Sequence, residues 1–148
     1  MTEYPKIVAF CCNWCSYAGA DAAGTARTQI SPHFRIIRTM CSSRIDPELI
    51  LEAFTKGAWG VLILGCHFGD CHYKNGNYKT LRRVKLLKKT LHGLGIEPER
   101  LHVDWVSANE GGKFARVVDG MIERVGKLGP LDLKIPAENP TTSGVPNV

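Results

Sequence analysis

No stretch of this chain is apolar enough to cross a bilayer. Its longest strongly apolar run is residues 61–64, held between Gly60 and Gly65, against the roughly 20 residues that a spanning helix needs. The opening residues 1–6 lack the basic-then-apolar layout of a secretion signal, so a cytoplasmic protein without membrane contact is expected. Several catalytic fingerprints are missing too. Neither Cys11 nor Cys12 has an arginine six residues later, which excludes the phosphate loop of small tyrosine phosphatases. Gly60 and Gly65 have P-loop spacing, but no Lys-Ser/Thr follows them. No Gly-x-Gly-x-x-Gly follows the first apolar run, so the dinucleotide fingerprint is absent. Internal repeats and low-complexity tracts are absent as well. Acidic residues are missing from one place in particular: residues 79–89 carry six Lys and Arg and no Asp or Glu.

That local excess accounts for the formal charge of +5. It marks one surface, either a solvated helix face or a docking face for an acidic partner, and no nucleic-acid role follows from it. The 148 residues, 44% hydrophobic and 22% charged, suit one globular domain that buries about 70% of its unfolded surface without staples. Six cysteines in such a chain favour metal binding or catalysis over disulfides in a reducing compartment.

Apolar runs at residues 7–10, 34–38, 61–64 and 101–106 predict four strands. The first and third are continuous, as in a parallel sheet covered on both faces. Helical patterns lie between them. Residues 18–29 are rich in Ala and Gly, allowing close approach to the sheet. Asp46-Pro47 supplies an N-cap and first-turn proline to a helix with Leu49, Ile50, Ala53 and Phe54 on one face, stopping at Gly57. Residues 77–92 carry a stripe of Leu81, Val84, Leu87 and Leu91. Ser107 and Glu110 have capping-box spacing, and Phe114, Val117, Val118, Met121, Ile122 and Val125 continue with helical period to Gly129-Pro130. The β-α alternation predicts an α/β three-layer sandwich whose four-stranded parallel sheet is ordered 2-1-3-4, a flavodoxin- or Rossmann-like arrangement. Residues 1–129 form this domain. Residues 130–148 hold four of the eight prolines and read as an extended tail that a partner orders.

All six cysteines follow the carboxyl ends of three strands: Cys11, Cys12 and Cys15 after the first, Cys41 after the second, Cys66 and Cys71 after the third. In the order 2-1-3-4 these ends are neighbours, and the crevice between strands 1 and 3 is where such sheets bind ligands. Cys11 continues the apolar strand and is assigned to the core. Cys12, Cys15, Cys41, Cys66 and Cys71 converge, and thiolates so close repel unless a metal neutralises them or two are oxidised. Three chemistries compete: an iron–sulfur cluster, a structural zinc, and a dithiol pair of Cys12 and Cys15 activated at a helix start. The cluster accounts for most of the residues. His67 and His72 are expected as polar crevice residues or donors to ligands. Trp14 and Tyr17 are expected to shield the site, and His33, His92 and His102 carry no signal.

The strings at residues 10–21 (Phe10-Cys11-Cys12-Asn13-Trp14-Cys15 onward), 40–47 (Met40-Cys41-Ser42-Ser43 onward), 65–73 (Gly65-Cys66-His67-Phe68-Gly69-Asp70-Cys71-His72-Tyr73) and 106–114 resemble the delta subunit family of methyl-viologen-reducing hydrogenases. The resemblance covers roughly residues 5–128. It implies a non-catalytic electron-transfer subunit of an oxidoreductase complex, carrying one 2Fe–2S cluster. It further implies relay of electrons from a hydrogenase or formate dehydrogenase to the flavin subunit of heterodisulfide reductase, in the electron-bifurcating system of methanogens. The family's cysteines fall on Cys12, Cys15, Cys41, Cys66 and Cys71, five candidates for four ligand sites. Cys41, Cys66 and Cys71 come first, and Cys12 is preferred over Cys15.

Overall fold

A computed structural model describes residues 3–133. Its elements run β1 (Ile7–Cys12), α1 (Ser16–Thr25), β2 (Phe34–Thr39), a short 3-10 turn (Ser42–Arg44), α2 (Pro47–Thr55), β3 (Gly60–Gly65), α3 (Gly76–Gly93), a second 3-10 turn (Pro98–Arg100), β4 (Leu101–Trp105) and α4 (Gly111–Leu128). The strands form one sheet in the order β2-β1-β3-β4, and every pairing is parallel. The α/β class, the strand order and the alternation expected from the sequence are all present.

Side chains alternate across the sheet, because successive residues of a strand point to opposite faces. Ile7, Ala9 and Cys11 of β1 join Leu62 and Leu64 of β3 in a core with Ala23 of α1 and Phe114, Val118, Met121 and Val125 of α4. Phe10, Val61, Ile63 and Leu101 face the other way, against Ile50 and Phe54 of α2 and Val84, Leu87 and Leu91 of α3. The direction of chain progression reverses after β2, so right-handed crossovers require helices on both faces. The same alternation separates two adjacent cysteines. Cys11 lies wholly inside the α1/α4 core, while Cys12, the last residue of β1, belongs to the opposite face.

Local differences from the sequence reading have physical causes. Helix α1 starts earlier and stops earlier than residues 18–29 suggest, and Arg27 beyond its end takes a left-handed conformation (φ 54°). Its small residues serve helix–helix approach more than helix–sheet approach. A Cβ on Gly19 would lie 2.8 Å from the Ser107 carbonyl oxygen, and one on Gly111 would lie 2.8 Å from the Ala23 nitrogen. Asp46 takes the N-cap position of α2 but makes no side-chain capping bond. Leu49 is exposed on α2 and Leu81 only half-buried on α3, so each apolar stripe is narrower than expected. The box of Ser107 and Glu110 closes a turn ahead of the helix. Glu110 accepts the Ser107 N–H at 2.8 Å, yet α4 begins at Gly111. Of the tail, residues 130–133 have no regular structure, with Leu131 and Leu133 packed on the α2/α3 core. Residues 134–148, and with them most of the expected extended tail, lie outside the described residues.

Arg100 clamps the sheet at the end away from the cysteines. It is 1% exposed. Its guanidinium donates to the Trp59 carbonyl (3.0 Å), the Gly129 carbonyl (2.8 Å) and the Glu97 carboxylate (2.7 Å). The start of β3 is thereby joined to the end of α4. Arg100→Met removes these donors while keeping the stem, and stranding buried carbonyls costs about 1–3 kcal/mol each. The expected loss is about 3 kcal/mol, read from urea unfolding of the metal-free chain.

Candidate metal centre

The parallel pairing of β1 with β3 aligns Cys11 with Leu64, which brings the next residues of both strands to one rim. There the Cys12 and Cys66 sulfurs lie 3.5 Å apart, both buried. Cys15 stands half-buried beside this pair, at the N-cap position of α1. Cys41 follows β2 and is buried, with the Ser43 hydroxyl donating to its sulfur at 3.2 Å. Cys71, half-buried in the β3–α3 loop, and Cys41 both lie against Gly76. A Cβ there would lie 3.2 Å from the Cys71 sulfur and would collide with that of Cys41. The five thiols therefore form one group of Cys12, Cys66 and Cys15 and another of Cys41 and Cys71, with Cys15 and Cys71 close enough to feel each other's charge. Among the described residues no three His, Cys, Asp or Glu side chains converge as a single-ion site.

Crowding dominates the electrostatics. The Cys12 thiol is pushed well above its ordinary range, first by its hydrogen bond with Cys66 and then by burial; the N–H groups of Trp14 and Cys15 pull the other way. Cys15 is raised by burial, against the Cys66 hydrogen bond, with the charges of Cys12, Asp70 and Cys71 raising it further. Acids this close cannot all ionise unless a cation joins them. Two helices start at the site, α1 at Ser16 and α3 at Gly76, and neither has a side-chain cap. Uncapped N–H groups and the positive ends of helix dipoles favour negative sulfur there.

The first two turns of α3 hold the cysteine loops in place. Asn77, 1% exposed, donates its amide to the Cys66 carbonyl (3.0 Å) and the His67 carbonyl (2.8 Å). Thr80 pairs with Ser42 at 2.8 Å and bonds the Gly76 carbonyl. Arg83 donates to the carbonyls of Ser43 and Ile45, tying the Cys41 turn to the helix. On β3's side, Ser16 donates to the Leu64 carbonyl at 2.7 Å. Sequence reasoning missed Gly76, Asn77, Thr80, Arg83 and Ser16 as site residues. Asn77 and Thr80 did carry a signal, since they extend the stripe of Val84, Leu87 and Leu91 by two turns with polar side chains.

Aromatic rings border the rim. Trp14 stacks on His72 with ring centres 3.8 Å apart and donates its N–H to the Tyr73 hydroxyl. Phe68 packs against Tyr78 and Trp105. Tyr17, expected beside Trp14, instead packs on the α1/α4 core and takes the Arg38 guanidinium over its ring at 5.1 Å. His67 turns to Glu110 (2.7 Å) and not to a sulfur, and Glu110 is held below its usual range by the Ser107 N–H and then by His67. A groove of about 910 Å³ beside β2 and α2 includes none of the six cysteines.

Thiol reactivity should follow this burial. Burial holds the Cys11 thiol up at about 12, and Cys12, Cys41 and Cys66 are closed off from solvent. In metal-free, reduced chain at mildly alkaline pH, iodoacetamide is expected to modify Cys15 and Cys71 first and Cys11 last, read by peptide mass spectrometry. Early labelling of Cys11 would contradict its placement in the core.

Comparison with known proteins agrees with this arrangement. Residues 7–129 match the family model described as methyl-viologen-reducing hydrogenase, delta subunit. The chain is similar to the iron-sulfur subunit of the vhc F420-non-reducing hydrogenase of Methanococcus voltae, 55% identical over 130 residues covering 88% of this chain and 90% of that one. It is 54% identical over 126 residues to the iron-sulfur subunit of the F420-non-reducing hydrogenase of Archaeoglobus profundus, covering 85% and 92%. It is also 43% identical over 130 residues to a subunit of the ferredoxin/F420H2-dependent CoB-CoM heterodisulfide reductase of Methanosarcina acetivorans, covering 88% of this chain and 16% of that longer one. With the whole sheet and every cysteine inside the matched span, this chain belongs to the methyl-viologen-reducing hydrogenase delta subunit family.

Proposed function

We propose that this chain is an electron-transfer subunit that holds one 2Fe–2S cluster and passes single electrons between larger redox enzymes. The observation that carries the reading is the gathering of five thiols from three separate β-α junctions at one rim. Their division into pairs fits a cluster of two irons, each taking two thiolates, better than a lone tetrahedral ion that needs four ligands around one point. The ligands we assign are Cys12 with Cys66, whose sulfurs lie 3.5 Å apart, and Cys41 with Cys71, which both lie against Gly76. Cys15, at a helix start and partly open to solvent, is the spare thiol.

When bound, such a cluster takes up and returns one electron at a time. The residues of this chain set the conditions for that exchange. Donors to sulfur, the Trp14 and Cys15 N–H groups at Cys12 and the Ser43 hydroxyl at Cys41, favour added negative charge and so raise the potential. The stack of Trp14 on His72 borders the site beside the Cys15 and Cys71 turns. The relatives' names support the setting: two are hydrogenase iron–sulfur subunits, and a third carries a similar domain within a larger heterodisulfide reductase polypeptide. In this reading the electrons come from a hydrogenase, the setting those names support, or from a formate dehydrogenase in its place, which only the family resemblance implies. They pass to the flavin subunit of heterodisulfide reductase in a cytoplasmic, electron-bifurcating complex.

Chain purified without oxygen is expected to contain about two irons and two sulfides per polypeptide and to give a reducible 2Fe–2S signal by EPR. Zinc without iron would overturn the proposal.

A further inference from the structure

Away from the cysteines, positive charge collects around the exposed edge strand β4. Helix α3 carries six Lys and Arg and no acidic residue over its 18 positions. Only Arg83 is used internally, on two backbone carbonyls. No side chain of α3 takes part in any ion pair found among the described residues. Across the strand, Lys113, Arg116 and Arg124 of α4 line a cleft of about 320 Å³ together with His102 and Asp104. Their spacing puts them along one side of the helix with Gly120, whose missing side chain leaves open space between the arginines. Asp104 is engaged already, by Lys113 at 3.4 Å and His102 at 3.7 Å.

The two helices' charges act on one another across the edge. Lys88 of α3 is held below its usual range by burial and then by the Arg124 charge, with Glu99 opposing. His102 is lowered by burial, then by Arg124, with Lys88 adding to the effect against Asp104. In the cleft itself three basic side chains face a single carboxylate, Asp104, which Lys113 already pairs.

We propose that the β4 edge, with the cleft of Lys113, Arg116 and Arg124 on one side and the basic face of α3 on the other, docks an acidic segment of a partner protein. The extent of the charge favours a protein over a small anion. Helix α3 is about 27 Å long at 1.5 Å per residue, far longer than one phosphate group, and the exposed Leu86 and Leu94 on and beside it offer apolar anchors. Nucleic acid fits less well, because single strands bind through aromatic platforms, and neither the lining of the cleft nor the basic stretch 79–89 carries a Phe, Tyr or Trp. Rim charges of this kind steer association and weaken with salt.

The docking proposal rests on the chain's charges and not on the identity of its metal centre. The test uses the full chain and a fluorescein-labelled oligoglutamate peptide, followed by anisotropy at low and high salt. Binding is expected to weaken with salt, and Arg116→Glu with Arg124→Glu is expected to weaken it about tenfold or more while metal content and EPR signal stay unchanged. Arg27→Glu with Lys56→Glu, on other surfaces, is expected to have little effect. The proposal is overturned if those control changes weaken binding equally, or if inorganic phosphate displaces the peptide at similar concentration. It is also overturned if single-stranded polynucleotide binds more tightly through the same two arginines. Should the charge reversals unfold the chain, Arg116→Gln with Arg124→Gln decides the matter by the same readouts.

Discussion

Cys66→Ser is expected to leave a folded chain with almost no iron. Cys66 stands at the meeting point of the site: its sulfur is 3.5 Å from Cys12, and its carbonyl is pinned by Asn77. A change one shell out from a metal typically costs 10- to about 100-fold in affinity, so loss of a ligand should cost at least that. The change is small in volume and lies at the end of β3, outside both apolar cores, so thermal unfolding of the metal-free protein should barely move. Cys15→Ser provides the contrast. It should retain about two irons per chain and the EPR signal, because Cys15 is the thiol outside both pairs. If Cys15→Ser loses iron and Cys12→Ser keeps it, the ligand assignment is reversed, while the cluster itself stands.

Gly76→Ala is expected to damage the centre as badly without touching a thiol. The added methyl would collide with the Cys41 sulfur and lie 3.2 Å from the Cys71 sulfur and 3.3 Å from the Ser43 hydroxyl. For the fold, opposing effects partly offset each other. Alanine is better than glycine in a helix by at most about 1 kcal/mol, and overpacking costs about 1–3 kcal/mol. Net stability should therefore fall by no more than about 3 kcal/mol. The cluster has no such compensation, since two of its assigned ligands must move apart together. Iron content about tenfold lower, with a cooperative unfolding transition retained, is the expected result. Full iron loading of Gly76→Ala would show that Cys41 and Cys71 do not meet over this residue when metal is bound.

The two substitutions differ in how much of their rationale was visible beforehand. The importance of Cys66 could be read from spacing: a thiol directly after a continuous apolar strand, in a chain whose other thiols also follow strands. Cys11 stands apart as a continuation of the apolar strand, and the structure puts it in the core. Gly76 had no such mark. Its role depends on a turn after β2 and a loop after β3 meeting at the start of α3, a contact between segments about 30 residues apart in the chain. His67 and Tyr17 show the same limit. Each lies near cysteines in sequence, yet one turns to Glu110 and the other to Arg38. A side chain in a loop goes to whatever partner the packed elements bring nearest.

By itself the sequence determined the class of protein: alternation of apolar strands with helical stripes gave the parallel α/β sheet in its observed order, and the placement of cysteines after strands gave the rim. These follow from local periodicity and the handedness of crossovers, which need no knowledge of distant contacts. Only the tertiary structure decided that Cys12 lies against Cys66, which polar residues of α3 hold the cysteine loops, and that basic residues of α3 and α4 flank the β4 edge. Pairings of that kind depend on distances between elements far apart in the chain, and packing sets those distances.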